Sequence, residues 1–410
     1  MKGPGVVITG VGVIAPNGTG KEKYWEALKE GRSGIKPVTI FETAFFKAKQ
    51  AGECSGFNAE DFLGSKGLRN LDRSTKLVCS AAKLALDDAK LNITEENTND
   101  IGVVTGTTLS VIWNISEFSK EAQDEGPHFV NPAMFPGTTI NSPSSQISIK
   151  FNIKGFNTTV STGYSAGLDA LKYAVDFIKL GRAKAVLVAG VEALFFQSFV
   201  GFHKLEFLAG IKGEEISCPF DKRRNGIILG EGAGVLVIED EDYARKRNAS
   251  IYARLKAVES IFDPFRSGKY NPKATGLKKS ITEALRNSGV DKNEIDYICA
   301  AANSVQNQDL FETRVIKEVF ESRAKNIPVS SIKSMIGEAV SAAGILQAAA
   351  SIGAMENSFI PPTINYKEND PECDLDYVAN KAREKKVNNV LINNFGPGGN
   401  NAAAVLSKYE

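Results

Sequence analysis

The chain has 410 residues, 42% of them apolar and 24% charged, which is ordinary for a globular protein and long enough for two fused halves. Its formal net charge is +1, from 49 basic and 48 acidic residues, so the overall field selects neither nucleic acid nor a membrane surface as a partner. The five cysteines, at 54, 79, 218, 299 and 373, form no CxxC pair; this argues against a metal site or a disulfide framework and fits buried thiols in a reducing cytoplasm, and no cofactor is expected.

Met1-Lys2-Gly3-Pro4 leads straight into Val6-Val7-Ile8-Thr9, an apolar run too short for a signal segment or a membrane span. From there strands are predicted at 6–13, 101–106, 157–161, 185–190, 233–239, 251–259, 296–301 and 389–395. Between them, helices are predicted at 21–30, 72–90, 109–122, 165–181, 275–288, 308–321 and 338–353. Alternation of this kind favours an α/β fold with buried sheets.

Segment 156–167 predicts a strand that enters a tight turn and then a helix. The helix carries Leu168, Leu171, Ala174, Val175 and Ile178 at the spacing of a buried face. A residue in such a turn faces a helix N-terminus, where N–H groups and the helix dipole favour negative charge. Enzymes place a cysteine or serine nucleophile there. Here the residue is Tyr164. A free phenol has a pKa near ~10, so roughly one in a thousand is ionised at neutral pH. The position has the setting of a catalytic centre and the wrong side chain for the usual covalent chemistry.

A weak repeat runs through the chain. Ile101-Gly102-Val103-Val104-Thr105-Gly106 finds its counterpart in Ile295-Asp296-Tyr297-Ile298-Cys299-Ala300, and Ala185-Val186-Leu187-Val188-Ala189-Gly190 in Asn389-Val390-Leu391-Ile392-Asn393-Asn394. Two copies of one α/β unit, 1–245 and 246–410, account for this.

Further motifs follow in a fixed order. They are Val7-Ile8-Thr9-Gly10-Val11-Gly12, Pro219-Phe220-Asp221 with Gly230-Glu231-Gly232, Lys333-Ser334-Met335-Ile336-Gly337, Pro361-Pro362-Thr363-Ile364-Asn365, and Asn394-Phe395-Gly396-Pro397-Gly398-Gly399-Asn400. Through them the chain resembles, nearly end to end, the β-ketoacyl-[acyl carrier protein] synthases of the thiolase fold. The resemblance implies a five-layer αβαβα arrangement of two similar halves, usually dimeric. Active members use one cysteine, which takes an acyl group from a carrier protein, and two histidines, which support decarboxylation of a malonyl unit. By motif, Tyr164 stands at the cysteine position, Ala301 at the first histidine and Glu338 at the second. The family's supporting Lys333, Asp309 and Glu312 are retained. His128 and His203, the two histidines of the chain, match neither position and are expected on the surface. Cys299, two residues before Ala301, is expected to point elsewhere.

The resemblance also assigns the surroundings. Pro397 replaces a phenylalanine that gates acyl entry, and its fixed backbone angle argues against a swing. Leu109, Ile112 and Trp113 match acyl-pocket positions; the indole of Trp113 stands where glycine is found, and either caps the pocket or anchors a partner. Lys66 and Arg69 match a basic patch for the acidic carrier protein, whereas Glu206 replaces a third basic residue and is expected to repel that partner. This combination resembles the chain-length-factor subunits of type II polyketide synthases, which lack the cysteine and form a heterodimer with an active ketosynthase. Glutamine is common at the cysteine position of the aromatic-polyketide members, and tyrosine departs from that. The implied partners are an active ketosynthase subunit, an acyl carrier protein met through the complex, and the polyketide chain, with no nucleic acid and no membrane. Two alternatives share the fold: a malonyl-carrier-protein decarboxylase, which would still need donors for the enolate, and an acyl-binding scaffold homodimer.

Overall fold

The computed structural model describes residues 5–265 and 268–410; residues 1–4, ahead of the first apolar run, lie outside that range. Ten strands carry the architecture: β1 Val6–Ala15, β2 Ile101–Gly106, β3 Asn157–Val160, β4 Ala185–Glu192, β5 Gly232–Asp240, β6 Ala253–Phe262, β7 Tyr297–Cys299, β8 Val329–Ser330, β9 Asn389–Phe395 and β10 Asn400–Lys408. They lie in the order β3-β2-β4-β5-β1-β6-β10-β9-β7-β8, and a short strand, Gly18–Thr19, folds back onto β1. The two runs of five have the same order and the same pairing senses. Thus β2 is parallel to β3 and β4, as β7 is to β8 and β9. The remaining pairs in each run are antiparallel. The runs meet at a short antiparallel seam, Val7 with Arg254 and Ile8 with Ala253.

Side-chain alternation explains the layers. In β4, Val186 and Val188 enter the central core, whereas Leu187 and Val191 enter an outer core beneath helix Arg73–Ala89. In β9, Val390 and Ile392 face the central core and Leu391 faces an outer core beneath helix Thr275–Ser288. Helices Ala166–Lys179 and Ala343–Asn357 pack on each other and on both runs of strands. The result is the expected layering, αβαβα. Sheets covered on both faces need unbroken apolar strands, which is why most were legible as apolar runs.

Several boundaries differ from expectation. Strand 296–301 shortens to β7, because the Ala301 and Ala302 N–H groups leave the ladder and donate to the Glu312 carboxylate at 2.9 and 2.8 Å. Helix 338–353 begins only at Ala343. The preceding turn holds Gly337 at φ 75 and, unusually for a β-branched residue, Val340 at φ 45. Strand β10 and helix Ser142–Phe151 were not foreseen.

Candidate functional site

Strand β3 ends at Val160, and a single 3₁₀ turn, Gly163–Ser165, leads into helix Ala166–Lys179. Gly163 takes φ 72, a left-handed conformation that glycine adopts without penalty. The Thr162 and Ser165 hydroxyls donate to the carboxylate of Asp169, which stands in the first turn of the helix. Ser341 donates to the Gly163 carbonyl at 3.1 Å, tying the turn to the other half of the molecule. The turn therefore has the expected form, and Tyr164 points inward, 7% exposed. Its ring packs close against Gly396; any Cβ there would meet ring carbons at 2.4 Å. Burial, with the Glu338 carboxylate nearby, pushes the phenol well above its ordinary ionisation range. Tyr164 is neutral at physiological pH and a poor nucleophile.

The other two altered positions converge on the same place. Lys333 Nζ donates to the Ala301 carbonyl at 2.9 Å and to Glu338 Oε2 at 2.8 Å, and both charged side chains are 1% exposed. Asn303 Nδ2 also donates to Glu338 Oε2 at 2.8 Å, and the Val340 N–H fills Oε1 at 2.9 Å. Glu338 is thus fully partnered, which makes its burial tolerable. No hydrogen bond joins it to Tyr164; its ionic partner is Lys333. The retained carboxylates hold backbone. Glu312 accepts from Ala301, Ala302 and, at 3.0 Å, Asn393 Nδ2. Asp309 accepts from the N–H groups of Asn303 and Phe220 at 3.0 and 2.8 Å.

Burial pushes Glu312 up to about 7 and Asp309 up to about 6. Glu192, which accepts from the Thr108 and Leu109 N–H groups, is likewise pushed up to about 7 by burial. A carboxyl raised in the fold binds a proton that the unfolded chain has released. It stabilises fully below its unfolded value of 4.5, and that contribution is lost as the pH rises through about 7. The expected outcome is a Tm that falls between those two values and levels off above them. A thermal-melt series across this window checks it, and a Tm that rises there contradicts it.

The peripheral assignments fall in different places. Trp113 and Arg69 line one open cleft of about 600 Å³, with Phe41, Phe196 and Met134. Leu109, Ile112 and Pro397 do not line it; Ile112 packs against the outer core beneath helix Arg73–Ala89. Lys66 and Arg69 are exposed. Glu206 pairs with Lys212 at 2.7 Å on the surface. His128 is exposed, while His203 packs at a tilt against the Phe46 ring and accepts the Lys47 N–H at 3.3 Å. Cys299 lies in the central core, away from the turn. Among the described residues, no group of three or more His, Cys, Asp or Glu is placed to hold a metal ion, and no helix is long and apolar enough to cross a membrane.

Sequence reasoning missed Gln308 and Tyr270. Gln308 Nε2 donates to the Ala301 and Phe395 carbonyls at 3.0 and 3.3 Å, and the Tyr270 hydroxyl donates to Gln308 Oε1. A signal existed for Gln308: it adjoins Asp309 and lies four residues before Glu312, on one helix face.

Two fused, similarly wound halves with a strand–turn–helix at residue 164 define a thiolase-like ketosynthase fold. Residues 4–244 match the Beta-ketoacyl synthase, N-terminal domain, and residues 252–367 the Beta-ketoacyl synthase, C-terminal domain. The chain belongs to the β-ketoacyl synthase family. It is 36% identical over 406 residues to 3-oxoacyl-[acyl-carrier-protein] synthase 2 of Coxiella burnetii, covering 98% of both chains. The same enzyme of Synechocystis is 36% identical over 408 residues, covering 99% of this chain and 98% of the relative. Among solved structures, the ishigamide ketosynthase/chain length factor superposes with a TM-score of 0.93 at 32% identity, covering 100% of both chains. A type II PKS acyl-carrier protein in complex with its ketosynthase bound to the hexaketide gives a TM-score of 0.90 at 28% identity, again with 100% coverage of both.

Proposed function

We propose that this chain is a catalytically inactive ketosynthase-like subunit, a chain-length factor. It pairs with an active ketosynthase and shapes the polyketide pocket of a type II polyketide synthase. Its two halves are 1–245 and 246–410. The observation that carries this is the replacement of all three reactive groups by a packed, internally satisfied cluster: a neutral buried phenol at 164, an alanine at 301, and a glutamate at 338 held by Lys333. The relatives named as synthases are similar along their whole length, yet condensation needs an acyl acceptor that Tyr164 does not supply. The likeness to a ketosynthase/chain length factor supports the same reading.

The partner surface is placed around 106–122 and 130–165. Trp113, Ile115, Phe135 and Ile149 all expose apolar surface there, and among the described residues β3 is an edge strand of the sheet. Carrier protein is met through Lys66 and Arg69 of the complex. Co-expression with an active ketosynthase should yield a one-to-one complex of roughly twice the subunit mass, with the large apolar interface of an obligate pair. A stable, soluble monomer in the presence of that ketosynthase counts against the proposal.

Trp113 is 37% exposed at the start of helix Ile112–Asp124, in a cleft open to solvent. In the reconstituted complex, Trp113→Ala should weaken pairing by about 2 kcal/mol, as for a buried aromatic anchor. Product length should stay the same. Longer products from a normally assembled complex would instead assign the indole to the end of the chain pocket.

A further inference from the structure

Tyr270 is remote in sequence from every motif of the site, yet it is built into it. Its hydroxyl is anchored by Gln308, which in turn holds the Ala301 carbonyl, the first of the two former histidine positions. Its ring meets Phe395 edge-on, with centroids 6.2 Å apart. Half-buried against the outer core, the phenol lies close enough to Tyr164 and Glu338 for both, after desolvation, to oppose its ionisation. A narrow cavity of about 20 Å³ is lined by Lys269, Tyr270, Phe311, Phe395 and Gly396. Gly396 is also the residue on which the Tyr164 ring rests, so this cavity ends one residue from position 164.

The chain beside Tyr270 is tied down. Asp263 accepts from Asn271 Nδ2, the Thr275 hydroxyl and the Gly276 N–H, the last two at 2.9 Å. The Asp263 N–H donates to the Gly399 carbonyl at 2.7 Å, and the Gly398 N–H to the Lys269 carbonyl at 3.4 Å. A second approach is a cleft of about 340 Å³ lined by Leu205, Phe207, Gly226, Val305 and Gln306. It abuts the Glu338 network through Val305, whose N–H donates to Asn303 Oδ1 at 3.3 Å.

We propose that Tyr270, anchored by Gln308, is a second closing residue of the site, and that access of small molecules to position 164 runs past Tyr270 and not through the cleft at Phe207. Tyr164 fills the nucleophile position; Tyr270 shuts the way to it. This rests on the reading of the site as catalytically retired, but its test reports access alone, whether or not the chain condenses acyl groups or has a partner.

The test uses a cysteine as a reporter. Tyr164→Cys places a thiol at the helix N-terminus, and all five native cysteines are buried. N-ethylmaleimide is the probe: sulfur adds across its carbon–carbon double bond, the thiol proton ends on the adjacent carbon, and intact mass with peptide mapping reports the rate at 164. Adding Tyr270→Ala to Tyr164→Cys should speed that labelling by roughly tenfold or more, because opening the route, not the chemistry, limits the rate. Adding Tyr270→Phe, which keeps the ring, or Phe207→Ala, which widens the other cleft, should leave the rate within roughly twofold. Equal rates with and without Tyr270→Ala in a protein of unchanged Tm overturn the proposal, as does acceleration by Phe207→Ala alone. If Tyr270→Ala unfolds the chain, the native cysteines label too; Tyr270→Leu, too short to reach Gln308, then gives the deciding rate.

Discussion

Incubated with acyl-loaded and malonyl-loaded carrier protein, the isolated chain gives no covalent acyl adduct at residue 164 and no β-ketoacyl product. The expectation follows from three separate losses. Tyr164 is neutral, buried and pressed against Gly396, so its oxygen is neither ionised nor free to turn towards a thioester. Ala301 offers no side-chain donor, and its backbone carbonyl is already taken by Lys333. Glu338 brings a carboxylate, which would repel a developing enolate. Each donor missing from an oxyanion site costs roughly 3–4 kcal/mol, two to three orders of magnitude in rate, so the losses compound beyond detection. Stoichiometric acylation of Tyr164, read by mass spectrometry, would sink this expectation. Turnover by the complex with an active ketosynthase would not, since the partner supplies its own nucleophile.

Breaking the Lys333–Glu338 pair from one side has the largest expected effect on stability. Both groups are 1% exposed, and each holds backbone as well as its partner. Glu338→Ala leaves an ammonium buried with a single carbonyl acceptor, and Lys333→Met leaves a carboxylate with only Asn303 and the Val340 N–H. Removal of one member of such a pair typically costs about 3–5 kcal/mol. Replacing both by apolar residues of similar volume removes the uncompensated charge, so the double variant should melt closer to the parent than either single variant. A double-mutant cycle of Tm values checks this. Additive losses, with the double variant the least stable, would show that the two charges do not support one another.

The same residues show how far the sequence could be read. Strands 101–106 and 389–395 were placed correctly because both faces are covered and their apolar runs are unbroken. Strand β10 was missed because its centre is Ala402-Ala403-Ala404, residues of low strand propensity. Those alanines alternate between the central and outer cores, where helices on both sides leave little room. Helix Ser142–Phe151 was missed because its serines favour turns when read locally. At the site, position 164 was legible from a local strand–turn–helix pattern. The Lys333–Glu338 pair joins two positions that the resemblance had already assigned to one site, although their contact is a fact of the fold. Tyr270 was not foreseen: it lies over a hundred residues from Tyr164, and only the folding of one half against the other brings the two phenols together.

The interlocked polar cluster also bears on what it would take to install the family's Cys-His-His chemistry at this site. A histidine restored at 338 alone removes the carboxylate that balances Lys333; a cysteine restored at 164 alone vacates the space against Gly396 and still lies behind Tyr270. Each single step lowers stability and returns no activity, because the remaining groups are still absent. Installing that chemistry therefore takes several coordinated substitutions, not one. If the proposed role holds, the cluster acts as a ratchet that keeps the chain in it.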